Sequence, residues 1–177
     1  MIFSETKLSG AYIIDIEKIE DERGFFARTF DKDEFSKLGL ESEFVQSSIS
    51  VNNKKGTIRG MHYQIKPYEE SKIVRCIKGR IFDVIIDLRT DSKTFKEWFS
   101  IELSGDNYKI LYVPKGFAHG FQTLEDNTEV LYHMFQNFSP KHSAGFRWDD
   151  PTIDIKWPLK MTVISEKDRN LSDFNYY

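Results

Sequence analysis

The chain has 177 residues, with 28 acidic and 25 basic side chains, a formal net charge of −3 and a pI near 5.8. That length is enough for one full-sized unit with its own core, expected over 1–177, and the slight acidity argues against a nucleic-acid partner, which calls for a basic protein. The single cysteine, Cys76, cannot form an internal disulfide, no leader pattern opens the chain and no run reaches transmembrane length, so a cytoplasmic protein without membrane contact is expected.

In chain order, Ala11 to Ile16 is apolar and β-branched, and IEDERGFFARTF resumes after a charged turn. Asp31 then opens the only convincing helix, Asp31 to Leu38, with Glu34 at the capping-box position and Gly39 just past the end. From there the punctuation becomes regular. VNNKKG separates FVQSSIS from TIRGMHYQ, and IKGR joins KIVRC to IFDVIIDLR, with Asn53, Gly56 and Gly79 as turn residues. Within IFDVIIDLR, alternation puts Phe82, Val84, Ile86 and Leu88 on one face and Asp83 and Asp87 on the other. WFSIEL, YKILYV, AHGFQTL and TEVLYHMF continue the series, split by SGDN, PKG and EDN. Short strands at this spacing predict an all-β fold, a sandwich or jelly roll. Beyond residue 138, prolines at 140, 151 and 158 break the pattern, and FSPKHSAGFRWDDPTIDIKWP reads as an ordered tail pinned by its aromatics.

The stretch GTIRGMHYQ poses the chemical question. Arg59 and His62 are three positions apart, so a regular strand sends them to opposite faces unless the intervening glycine bends the chain. A metal-binding cupin pattern needs H-x-H and a glutamate, then P-x-G-x-x-H. Pro114, Gly116 and His119 match the second half, but the first half reads His62-Tyr63-Gln64. One ligand is missing, and only a well-placed Glu70 restores a two-histidine, one-carboxylate set, so no metal is expected. His62 and His119 are then free for acid–base work or packing, and a histidine in an apolar strand is more often a packed core group. Arg59, Lys72 and Arg75, with Arg23 from DERGFF, shift that balance, because cations converging on a barrel mouth imply an anionic ligand. Lys78 and Arg80 read as solvated strand-edge residues. Tyr132 and Asp168 complete the candidate list, since a tyrosine can donate a proton across a site from a base and a buried carboxylate beside an imidazole fixes its tautomer. From spacing alone, Tyr132 reads as a core aromatic and Asp168 as a surface charge.

DERGFF, TIRGMHYQ, KIVRCIKGRIFDVIIDLR, LYVPKGFAHGFQTL, RWDDP with its downstream WP, and ISEKD also carry a resemblance. In this order and spacing, over about residues 1 to 170, the chain resembles the dTDP-4-dehydrorhamnose 3,5-epimerase family of RmlC-type sugar-nucleotide epimerases. The resemblance implies a cupin-type jelly roll without metal or other cofactor, in a homodimer whose N-terminal strands exchange between subunits. It implies a nucleotide-linked 4-keto-6-deoxyhexose as substrate, inverted at carbons beside the ketone. It also implies roles: His62 as base held by Asp168, Lys72 facing the C4 oxyanion, Tyr132 as acid and His119 in support. Arg23, Arg59 and Lys167 match positions near the diphosphate, and Gln46 and Phe26 match residues lining the nucleotide.

The chain departs from the family pattern at Arg28, where an acidic residue is frequent near the pyrimidine edge, and at Phe138, where a tyrosine commonly stacks on the base. Ser48 replaces a frequent asparagine and His133 a usual lysine. These departures leave open whether the nucleotide is dTDP, CDP or GDP, and whether C3, C5 or both are inverted. A ketoisomerase, a non-catalytic sugar-nucleotide binder and a metal-dependent oxygenase are the alternatives; the complete His–Asp–Lys–Tyr set argues against the binder.

Overall fold

In the computed structural model, which describes residues 1–175, the regular punctuation becomes strands close to the expected lengths. The last two positions of the expected 1–177 unit lie outside the described residues. The chain opens with β1 (Ile2–Glu5), β2 (Tyr12–Asp15), the short β3 (Ile19–Asp21) and β4 (Gly24–Phe26), and helix α1 (Lys32–Lys37). It continues through β5 (Gln46–Asn52), β6 (Ile58–Gln64), β7 (Lys72–Lys78), β8 (Arg80–Asp87) and β9 (Trp98–Ser104). Then follow β10 (Ile110–Val113), β11 (Phe117–Thr123), β12 (Thr128–Met134), β13 (Ser143–Gly145) and α2 (Glu166–Arg169). Sequence reading missed β1, β13 and α2, which at four, three and four residues are too short to show a period.

Two antiparallel sheets form the jelly roll. One runs β1-β2-β10-β7-β12-β5 and the other β13-β6-β11-β8-β9. Between them lies a core of Val74, Cys76, Ile81, Ile85, Leu111, Phe121 and Val130. The apolar face of IFDVIIDLR does not point into this core. Val84 and Ile86, with Phe82 and Leu88 against them, pack outward under the C-terminal tail with Phe146, Ile153, Ile155 and Phe174. The tail is therefore a third layer, anchored by apolar side chains whose burial stabilises by about 1.5–3 kcal/mol each. Asp83 and Asp87 consequently share the inward face with Ile81 and Ile85, and both carboxylates are fully buried.

Helix α1 covers part of the other outer face through Phe35. The Asp31 side chain caps it by accepting from the Asp33 and Glu34 N–H groups at 3.0 and 3.2 Å. Glu34 completes no reciprocal box; its carboxylate accepts instead from the Met1 amine at 2.9 Å. The β3–β4 hairpin packs differently. All six of its residues are exposed, and Ile19 and Phe26 each keep 68% of their surface open. Among the described residues, no helix is long and apolar enough to cross a membrane.

Candidate active site

The strand that raised the question carries a bulge. His119 pairs with His62 and Phe121 with Arg59, so two steps along β11 match three along β6. The extra residue falls at Gly60–Met61, where Gly60 has φ +126°. A Cβ there would lie 2.6 Å from Gly120 Cα, and one on Gly120 would lie 2.6 Å from Met61 Sδ. Two glycines therefore let the backbones close up while Met61 turns out into the tail-facing core. Arg59 and His62 end on the same inward wall, as expected for a strand bent at its glycine.

His62 Nε2 lies 2.7 Å from Asp168 Oδ1. The other carboxylate oxygen accepts from the Gly60 N–H at 3.3 Å, so the bulge also holds the carboxylate. Asp168 stands on α2, where its own N–H donates to the capping Ser165 hydroxyl at 3.1 Å, and it is only 4% exposed. The surface charge suggested by spacing is thus a buried group. Burial pushes the Asp168 carboxyl up, but His62, the Gly60 N–H and Ser165 outweigh it and hold it below the usual carboxylate range. In neutral His62, Nε2 carries the proton donated to Asp168, and Nδ1 keeps its lone pair.

A second His–Asp pair lies deeper. His119 Nε2 is 2.7 Å from Asp83 Oδ1, both groups buried, while Asp83 Oδ2 has no hydrogen-bond partner among the described residues. Burial drives the Asp83 carboxyl up against the opposing pull of His119 and Lys72. Asp83 was missed as a site residue; its signal was a carboxylate between two isoleucines on the same face of a strand. Lys72 projects from β7 on the facing sheet and meets the Glu70 carboxylate at 2.6 Å. Tyr132, from β12, packs against the core as expected of a core aromatic, yet sets its ring edge-on to His119 at 6.1 Å. Its phenol is pushed up, first by burial and then by the charge of Asp83.

These groups line one cleft between the sheets. One half, of about 490 Å³, is bordered by Gln46, Ser48, Glu70, Phe138 and Ser143; the other, of about 410 Å³, by Arg59, His119 and Asp168. Ser48, His62, Lys72, Tyr132 and Lys167 border both halves. Period-2 alternation explains the set: Gln46 and Ser48 face inward on β5, as do Lys72 on β7 and Tyr132 on β12. Arg59 is aimed by Asn52 Oδ1, which accepts from its Nε at 2.7 Å, and the Phe138 N–H donates to Gln46 at 2.8 Å.

Other candidates stand elsewhere. Arg75 lies on the opposite face of β7 from Lys72, half-buried with its Nε unpaired among the described residues, so the expected convergence of Arg59, Lys72 and Arg75 is corrected to the first two plus Lys167. Lys78 and Arg80 pair at the surface with Glu129 and with Glu102 and Glu125, as expected of strand-edge cations. Arg23 is bound to Asp21 and Arg28 to Asp31, and with Phe26 they lie on or beside the exposed hairpin, outside this cleft. Glu70 serves Lys72, and among the described residues no three His, Cys, Asp or Glu side chains are grouped to hold a metal. His133 stacks on Phe44 and His142 on Tyr68, both as packing groups.

A family model described as dTDP-4-dehydrorhamnose 3,5-epimerase matches residues 5–175. The dTDP-4-dehydrorhamnose 3,5-epimerase of Methanothermobacter thermautotrophicus is 45% identical over 171 residues, covering 95% of this chain and 91% of the relative. The crystal structure of dTDP-4-dehydrorhamnose 3,5-epimerase from Bacillus anthracis, with TDP and PPi bound, superposes with a TM-score of 0.94 at 40% identity, over 98% of this chain and 99% of that one. The Legionella pneumophila dTDP-6-deoxy-D-glucose-3,5-epimerase RmlC, in complex with dTDP-4-keto-L-rhamnose, gives 0.91 at 34% identity, over 97% and 92%. A cleft that sets a carboxylate-held histidine against a lysine and a tyrosine, in a chain matched almost end to end by these proteins, leads to one conclusion: the chain belongs to the dTDP-4-dehydrorhamnose 3,5-epimerase family.

Proposed function

We propose that the protein inverts C3 and C5 of a nucleotide-linked 4-keto-6-deoxyhexose, converting dTDP-4-dehydro-6-deoxy-D-glucose to dTDP-4-dehydro-L-rhamnose. The observation that carries this reading is the placement of His62 on β6 and Tyr132 on β12, on facing sheets, with Lys72 in the same cleft. Inversion requires a proton to leave one face of a ring carbon and return to the other. His62 Nδ1 takes the proton beside the C4 ketone, and Asp168 stabilises the imidazolium that forms. The Lys72 ammonium stabilises the enolate oxygen as its charge grows. Tyr132 returns a proton from the opposite wall, and Asp83 holds His119 in a supporting position. Proton removal and return is redox-neutral, so the chemistry requires no redox cofactor. Together with the buried free thiol of Cys76, it fits a cytoplasmic setting.

Arg59 and Lys167 are assigned to the diphosphate, and Gln46, Ser48 and Phe138 to the nucleoside. Arg23, Phe26 and Arg28 are assigned to the same substrate in the cleft of a second copy, in a homodimer with exchanged N-terminal strands. The uncovered Ile19 and Phe26 support this assignment. Replacing both by Asp is expected to give a monomer in sedimentation velocity and to cut kcat/KM at least tenfold. A wild-type protein that already sediments as an active monomer would remove the exchanged arm from the reading.

The reaction is tested in deuterated water, with ring protons followed by NMR. Deuterium should enter at both C3 and C5 of the dTDP sugar. Exchange at one carbon gives a mono-epimerase instead, and exchange with only the CDP sugar makes Arg28 the reader of a different base. Movement of the carbonyl would identify a ketoisomerase.

A further inference from the structure

Glu70 lies two residues ahead of Lys72, the first residue of β7, and both line the cleft, while Ser71 between them turns away to Glu41. Each side chain of the pair is nearly buried, at 10% and 13% exposure. A buried ammonium keeps its charge and its aim only when a counter-ion fixes it. Glu70 Oε1, at 2.6 Å, is that counter-ion. One N–H of three points at Glu70, leaving two for a ligand oxygen.

Gln64 links this pair to the mouth of the cleft. It lies two positions beyond His62 and is 5% exposed. Its amide nitrogen donates to the Tyr68 and Asn137 carbonyls at 2.9 and 3.2 Å, and makes a longer contact of 3.4 Å to Glu70 Oε2. Its amide oxygen accepts from the Ser139 N–H at 2.7 Å. The turn that presents Phe138 is thereby anchored on the group that touches the Lys72 counter-ion.

We infer that Glu70 is a positioning residue for the proposed epimerisation, holding the Lys72 ammonium where the enolate oxygen forms, while Gln64 keeps the Phe138 turn in place through its own bonds to Tyr68, Asn137 and Ser139. This rests on the epimerase reading. Removing the carboxylate leaves the ammonium without its fixed partner, so oxyanion stabilisation is lost while the nucleotide contacts stay in place.

The test compares wild type, Glu70→Gln and Glu70→Ala in deuterium wash-in from dTDP-4-keto-6-deoxyglucose, with dTDP affinity by calorimetry and thermal midpoint alongside. The inference expects wash-in and kcat to fall at least tenfold in both variants, dTDP affinity to stay within twofold, and formate to restore part of the Glu70→Ala rate but not alter wild type. Wash-in within twofold of wild type in Glu70→Gln would overturn it. So would rate losses matched by equal losses of dTDP affinity without formate rescue, which mark a structural role. Absence of wash-in in wild type itself would overturn the epimerase reading instead, so the two failures are distinct.

Discussion

Asp168→Asn is expected to lower kcat by about 10³–10⁴-fold, the scale set by removing the orienting carboxylate of a catalytic histidine, while the protein stays folded. The Gly60 N–H donates to Asp168 Oδ2, so an asparagine places its amide oxygen there and turns its NH2 toward His62. Facing a donor, His62 Nε2 must accept, and the proton moves to Nδ1, which can then no longer act as a base. Product formation followed by NMR in ordinary water checks this, and a loss under tenfold would remove Asp168 as the orienting group. Stability should change less and in a pH-dependent way. The Asp168 carboxyl is held below its usual range, so its contribution is full above the unfolded carboxylate value of ~3.9 and is lost as pH falls through the lowered folded value. The gap in thermal midpoint between wild type and Asp168→Asn should therefore be widest near neutral pH and close on acidification below about pH 4.

The largest structural loss is expected from Gly60→Ala. The new methyl would meet Gly120 Cα at 2.6 Å and the His119 carbonyl at 2.9 Å, both backbone atoms that cannot swing aside, at φ +126°. A clash of backbone on backbone plus a left-handed conformation predicts at least about 3–5 kcal/mol of destabilisation, or failure to fold. Gly24→Ala separates the two causes. Gly24 has φ +123° but nothing within 4 Å of its Cβ position, so it should lose only the conformational part, about 1–2 kcal/mol. Denaturant midpoints on both variants check the pair; equal losses would show that close approach of β6 and β11 is not what demands glycine at position 60. Any folded Gly60→Ala protein should also be inactive, because straightening β6 puts Arg59 and His62 back on opposite faces.

How much of this was legible depended on whether the signal was local. The strands from Gln46 to Met134 could be read because Asn53, Gly56 and Gly79 punctuate an alternating pattern, and each reading needed only a few neighbouring residues. The inward-facing Lys72 and Tyr132 follow from the same alternation once the sheets are paired. Asp168 was illegible from spacing because its partner is 106 residues away and its helix is a single turn without an apolar period. Its role came only through the family resemblance. Arg75 was misplaced because counting cations on one strand ignores which face each occupies. Asp83 was passed over because both faces of IFDVIIDLR are buried, and composition does not say which face meets the facing sheet and which the tail. The bulge at Gly60 was open as a question, and only the pairing of β6 with β11 answers it.

The one-turn helix α2 carries Lys167 and Asp168 side by side, and its stretch is tied to β6 at a few points: the Ile58 N–H donates to the Val163 carbonyl at 2.9 Å, the Gly60 N–H to Asp168 at 3.3 Å, and His62 meets Asp168 at 2.7 Å. A single turn held at a few points along one strand opens at lower cost than the double sheet itself. Heat or denaturant would therefore silence the protein while its strands remain intact, because opening this one turn takes away both the orienter of the base and a cation of the cleft. Residual activity in a stressed sample is then a gauge of that local equilibrium rather than of how much protein is folded.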